Sequence, residues 1–240
     1  MKISRRQAIR VSGTALTGLS IGLTQQQLLA RAGQASPPQQ LEDAEYRAIS
    51  DLGLLPDGSA PEHPLSARED ISAVIYRFGR PRGTPPDIDY DYRNLSVTIN
   101  GGGTTSRTGA MRWSDLEPLP RREHVFLLQC GSPAGPRGIV KWTGVRFSDV
   151  AEMLGVAPFA RYARFVSADG YWVDEDMTTL MHPQVLLTWM LNDEPIPPGN
   201  GAPLRLVIPF RWGARSAKAL THILLTSTSF PQREPLQIAL

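Results

Sequence analysis

Cysteine is nearly absent from this 240-residue chain, with Cys130 as its single representative. That count excludes intramolecular disulfides, four-cysteine iron–sulfur centres, cysteine-rich zinc sites and haem attachment through a C-x-x-C-H pair. Histidine is scarce too: the four residues stand at 63, 124, 182 and 222. One thiol and four scattered imidazoles form none of the standard metal-ligand spacings. Acidic residues are missing from positions 1–40, which carry Lys2, Arg5, Arg6, Arg10 and Arg31. The whole chain has 25 basic against 23 acidic residues, so positions 41–240 hold 20 against 23, a net charge of −3. The basic balance is therefore a property of the N-terminal segment, and nucleic-acid binding loses its electrostatic support.

A long apolar run is also lacking. The stretch VSGTALTGLSIGLTQQQLLA is interrupted by Gly13, Thr14, Thr17, Gly18, Ser20 and Gly22, which is too polar for a stable membrane span. A basic start, a modest apolar region and a small-residue site at Ala30-Arg31-Ala32 read instead as a secretory signal over residues 1–32. Arg5-Arg6 after Ser4, followed by Ile9 and Arg10, match a twin-arginine signal, with Ala8 where an aromatic is usual. The alternatives are a free amphipathic helix and an uncleaved anchor. Twin-arginine export carries folded proteins, often after cofactor insertion, so the expected location is the bacterial periplasm and the expected partner is that export machinery.

Residues 33–65, rich in Pro, Gln, Ser and Ala, read as a linker and N-terminal arm, with a short helix over 41–55. Residues 66–240 read as one domain. Strands are expected at 72–79, 94–101, 124–130, 160–173, 202–210 and 220–230, with Asn100-Gly101 as a hairpin turn. Helices are expected at 113–120 with Ser114 as cap, at 147–155 between Ser148 and Gly155, and at 182–191. Many short strands with few helices predict an α+β domain, mostly β at its centre.

Cys130 ends an apolar strand and opens the loop GSPAGPRG, which has little side-chain bulk. Its plain reading is a buried small hydrophobe. Strand ends that feed glycine-rich loops, however, are where ligands reach the backbone. A lone thiol in an exported protein is open to oxidation unless a metal holds it as thiolate. A metal whose remaining ligands come from an organic cofactor needs only one protein sulfur, as molybdenum on a pterin dithiolene does.

The run VFLLQCGSPAGPRGIVKWTGVRFSDVAEMLG resembles the metal-ligand segment of the sulfite oxidase family of molybdopterin enzymes. Its matching positions are Cys130, Trp142, Gly144, Val145, Asp149, Val150 and Leu154. A second block, residues 186–223, resembles the family's later signature, with Gly-x-Pro-x-Arg at 201–205 and Gly-x-x-x-x-Lys at 213–218. The similarity runs from about Ser72 to Leu225. The short interval from Cys130 to Trp142 is closer to the bacterial periplasmic methionine-sulfoxide reductase branch than to eukaryotic sulfite oxidases with their arginine-rich insert.

The resemblance implies a sulfite-oxidase-like fold and a molybdenum-molybdopterin cofactor, with Cys130 as catalytic metal ligand. Asn200 and Arg205 match pterin-contacting positions, and Ser216, Ala217 and Lys218 match the loop that holds the pterin phosphate. Ser167 keeps the hydroxyl of a family threonine. Tyr76 and Arg77 fall where the branch has a Tyr-Glu pair touching the cofactor, and Ala73 stands where it has Asn. Arg205, Lys218 and the loop amides suit a phosphate chemically, because charge-assisted donors bind it best.

Tyr171 is a candidate donor to an oxo group or substrate. Arg137, Arg211 and Arg215 are candidates for a cationic funnel. The implied activity is two-electron oxygen-atom transfer on a small molecule, a sulfoxide or sulfite, with electrons from an external carrier such as a cytochrome or a membrane haem subunit. One alternative is a redox-inactive protein that keeps the fold and binds a pterin or anion. Another is a thiol enzyme using Cys130 with His182 or His222 as base, since His124 lies six residues away, about 20 Å along an extended strand.

Overall fold

The computed structural model describes residues 52–70, 85–129 and 137–230, all within the compact unit Ile49–Leu240. The signal segment, the 41–55 helix apart from its last residues, the 72–79 strand, Tyr76, Arg77, Cys130 and the glycine-rich loop after it lie outside the described residues. Among the described residues no helix is long and apolar enough to cross a membrane.

Among the described residues ten strands form two sheets, and three short helices join them, as an α+β chain with a β centre requires. Strands β1 (Ser96–Asn100) and β2 (Gly109–Arg112) pair antiparallel. Strands β5 (Tyr162–Ser167), β6 (Trp172–Asp176) and β10 (Leu220–Thr226) complete the first sheet in the order β2-β1-β10-β5-β6. Only β1 and β10 run parallel in it. The second sheet is antiparallel: β3 (Arg121–Gln129), β4 (Arg137–Arg146), β7 (Leu186–Leu191) and the two-residue β8 (Glu194–Pro195), with β9 (Arg205–Val207) also on β7.

Two apolar clusters follow from the alternation of these strands. One joins both sheets through Val97, Ile99, Phe165, Ile223, Leu187 and Trp189. The other covers the opposite face of the second sheet with Phe126, Val140, Trp142, Leu186 and Leu191. Helix α1 (Trp113–Leu116) and helix α2 (Phe147–Leu154) pack on the first cluster. Phe147, Val150, Ala151 and Leu154 bury the i, i+3, i+4, i+7 stripe of α2, and Phe147 meets Phe165 edge-on at 5.5 Å. Helix α3 (Met177–Leu180) follows β6 directly.

Residues of the expected arm run along the second sheet. Ala60 exchanges two hydrogen bonds with the Gln184 side chain, and the His63 N–H donates to the Val125 carbonyl at 2.9 Å.

The segment 182–191 corrects a helical expectation. Its leucines favour helix locally, but Leu186 and Leu191 fill one cluster while Leu187 and Trp189 fill the other. A run buried on both faces is a central strand, and it ends in a two-residue turn at Asn192 (φ 52°) and Asp193 (φ 73°).

The caps differ as well. Strands run straight into the helices, so Arg112 and Arg146 are the N-caps in place of Ser114 and Ser148, while Gly155 ends α2 at φ 65° as expected. Asn100-Gly101 opens a longer connection, residues 101–108, and not a two-residue turn.

Candidate functional site

Strand β9 and the loop before β10 carry most of the expected residues. The 3-10 turn Pro198–Asn200 ends at Gly201, whose φ of +113° glycine adopts without penalty. A Cβ at Gly201 would crowd the Lys218 side chain at 3.0 Å and Arg205 Cβ at 3.2 Å. The glycine therefore lets two long cationic side chains pass one backbone.

Arg205 opens β9 and is 1% exposed. Its Nη1 donates to the Asn200 carbonyl at 2.6 Å and its Nη2 to the Ser216 carbonyl at 3.3 Å. The guanidinium lies over the Trp142 indole, 4.7 Å from the ring centroid. Arg205 is thus a clamp between the 198–200 turn and the Ser216 loop. Lys218 Nζ donates to the Gly199 carbonyl at 3.3 Å, and Ser216 Oγ accepts from the Ile208 N–H at 3.1 Å. Ala217 accepts from the Leu206 N–H at 2.9 Å. Ala219 sits at φ +43°, a strained value for a residue with Cβ, held by bonds from its N–H to Gly201 and to its carbonyl from Ala168.

Ser167 ends β5 opposite Leu220, one residue from the Ala168–Ala219 bond. Asn200, Arg205, Ser216, Ala217, Lys218 and Ser167 therefore share one neighbourhood, although they come from three separated stretches of chain. Gln129 and Arg137 pair at the ends of β3 and β4, so the connection between those strands carries position 130.

A phosphate-bearing pterin fits these residues on an observation independent of motif. Ser167 Oγ and Trp142 Nε1 are buried without a hydrogen-bond partner. A buried donor left unmade costs about 1–3 kcal/mol, which a bound polar group recovers. Both atoms border the cationic cradle, one through the Ala168–Ala219 bond and the other through Arg205. Among the described residues no group of three or more His, Cys, Asp or Glu side chains could hold a metal ion.

Other expected residues have local roles. The Tyr171 hydroxyl donates to the Ala214 carbonyl at 2.7 Å. Arg215 Nε donates to Glu175 Oε1 at 2.5 Å, and its Nη2 donates to the Asp174 carbonyl, so its charge is neutralised. Arg211 reaches the Thr179 hydroxyl at 3.4 Å. A cationic funnel therefore loses Arg215. His182 packs edge-on against Phe210 at 4.6 Å, and its Nδ1 faces the Gln184 N–H at 3.3 Å.

A cleft of about 670 Å³ lies against β6, lined in part by Asp174, Glu175, Asp176, Arg215 and Phe230. Its carboxylates repel an anionic group, so this cleft does not suit a phosphate. Asp176 in this cleft is pushed up by burial. The Thr179 N–H and hydroxyl outweigh that, and its carboxyl lies below the ordinary value.

Sequence reasoning passed over Glu175 and placed Trp142 in the family motif without giving it a role in the site. A carboxylate at an inward position of an alternating strand was the available signal for the first.

Comparison with known proteins bears on the same region. The family profile described as "Oxidoreductase molybdopterin binding domain" matches residues 82–234. The protein-methionine-sulfoxide reductase catalytic subunit of Xanthomonas axonopodis pv. citri is 26% identical over 181 residues, covering 66% of this chain and 54% of that protein. Its counterpart from Ralstonia nicotianae is 26% identical over 169 residues, covering 62% and 49%. The chain thus spans about half the length of these curated relatives. Among solved structures, the sulfane dehydrogenase SoxCD of Paracoccus pantotrophus shares the fold, with a TM-score of 0.55, 16% identity, and coverage of 81% of this chain and 58% of that one.

Proposed function

The chain belongs to the oxidoreductase molybdopterin-binding domain family, and from that premise we propose that it is an exported oxidoreductase that reduces sulfoxides. In this reading it is a periplasmic protein sent out by the twin-arginine route, and Cys130 is the sole protein ligand of the molybdenum. The observation that carries the reading is the meeting of Asn200, Arg205, Ser216 and Lys218 in one cradle, bordered by the unpartnered hydroxyl of Ser167.

When bound, the molybdenum-molybdopterin group supplies two-electron oxygen-atom transfer. Sulfoxide, two electrons and two protons become sulfide and water, with the electrons coming from an external carrier. The chain's residues supply the rest. Lys218 and the Ser216–Ala217 loop hold the phosphate, Arg205 fixes the shape of the cradle, and Ser167 donates to the bound group. A sulfoxide is favoured over sulfite because a dianion needs clustered positive charge. Arg215 is committed to Glu175, and no arginine-rich insert follows Cys130. The reductase names of the two relatives point the same way.

Elemental analysis tests this on protein made in a host that synthesises molybdopterin. The expected result is about one molybdenum per chain, lost in Cys130→Ser, together with reduction of a methionine sulfoxide substrate by a reduced artificial donor. A folded protein that carries no molybdenum under those conditions refutes the reading.

A further inference from the structure

Glu175 breaks the pattern of its own strand. Along β6 the inward positions are Val173 and Glu175, and the glutamate is only 5% exposed. A buried carboxylate requires a partner, and Arg215 supplies one, Nε to Oε1 at 2.5 Å, while its Nη2 donates to the Asp174 carbonyl. Arg215 ends the 3-10 turn Gly213–Arg215, directly before Ser216. One residue earlier, the Ala214 carbonyl accepts the Tyr171 hydroxyl at 2.7 Å.

The loop is therefore fastened on two sides. Tyr171 and Glu175 tie Ala214 and Arg215 to the β5–β6 hairpin. Arg205 and Leu206 tie Ser216 and Ala217 to β9. A segment held from one side swings about its attachment, whereas one held from both keeps its donors at fixed positions.

We infer that Tyr171 and Glu175 are positioning residues for the cofactor loop 213–218, acting through Ala214 and Arg215. The inference rests on the reading that this loop holds the pterin phosphate.

The test follows cofactor release from purified holoprotein, read as fluorescence of the oxidised pterin in the released fraction. Tyr171→Phe, which removes one hydroxyl and no packing, is expected to speed release about fivefold, as loss of one ordinary hydrogen bond does. Glu175→Ala is expected to speed it more than about tenfold, since a bond to a charged group is stronger. Glu175→Gln, whose amide oxygen still accepts from Arg215, should fall between Glu175→Ala and wild type. Asp174→Asn alters a side chain that pairs with Arg164 at 2.6 Å and leaves in place the main-chain carbonyl that accepts from Arg215, and should stay near the wild-type rate. Amide exchange of residues 213–218 in cofactor-free protein should rank the variants in the same order.

Wild-type release rates in both Tyr171→Phe and Glu175→Ala overturn the inference. Equal acceleration by Asp174→Asn overturns it too, because it would mean loosening of the whole hairpin. A wild-type protein that purifies with no pterin overturns the cofactor reading instead, and amide exchange then decides alone whether Tyr171 and Glu175 hold the loop.

Discussion

Replacing Arg205 with methionine separates the two roles a buried cation in this cradle can have. The guanidinium donates to the carbonyls of Asn200 and Ser216 and stacks on Trp142. Methionine keeps much of the volume but leaves both main-chain acceptors in place without these donors. Each orphaned acceptor costs about 1–3 kcal/mol, and the lost cation–π contact adds about 0.5–2 kcal/mol. Removing the cost of burying a guanidinium offsets part of that sum. A net loss of about 3 kcal/mol remains, or about 6–12 °C in Tm for a unit of this size. Arg205→Lys retains one reachable carbonyl and should recover up to half of it. The assay is urea unfolding of cofactor-free protein, with an unchanged slope as the sign that only stability has moved. Arg205→Met within about 0.5 kcal/mol of wild type in that state refutes the clamp, since the arginine would then matter only to a bound ligand.

Three further outcomes follow from the same structure. Ser167→Ala should leave cofactor-free protein as stable as wild type or slightly more so, because an unpartnered buried hydroxyl is removed, while holoprotein loses cofactor faster; thermal melts and pterin release check the pair. Gly144→Ala places a Cβ inside van der Waals distance of the Leu187 carbonyl and Thr188 Cα, both backbone atoms of the central strand, and should cost upwards of about 2 kcal/mol by urea midpoint. The Asp115 carboxyl is held below the usual range first by the Arg112 N–H and then by Arg107. Its contribution is therefore full above the unfolded value of about 4 and is lost as pH falls through the lower folded value. The stability gap between wild type and Asp115→Asn should accordingly be widest near neutrality and close in acid, as denaturant titrations at several pH values would show.

What the sequence made legible was local. Helix α2 announces itself because its buried stripe and its Gly155 stop lie within one short stretch. Strand β7 did not, because Leu186–Leu191 has no alternation to read: both faces are covered, one by Phe126 and Val140 and the other by Leu206 and Phe165. Leucine then argues for helix on propensity, and only the arrival of β4 and β9 on either side decides for strand. The misread caps have a similar origin. A serine near a helix start is a cap only if the chain turns there, and Arg112 and Arg146 enter their helices from strands already extended.

The cradle residues were named by the family resemblance of the segments 201–205 and 213–218 and not by local propensity; the structure brings them together, with Gly201 close to both Lys218 and Arg205. Those short motifs name the residues that face the cradle but not what holds them from behind. Glu175 and Arg215 stand 40 residues apart, and Tyr171 and Ala214 stand 43 apart. In the sequence Asp174-Glu175-Asp176 belongs to no motif and lies past the expected strand 160–173. Only the inward turn of its middle residue, with Arg215 brought against it by the return of the chain to β10, makes it an attachment point. A loop that must present donors to a non-covalent cofactor gains most from such outside support, because its own glycine and alanine residues are too small to pack it in place.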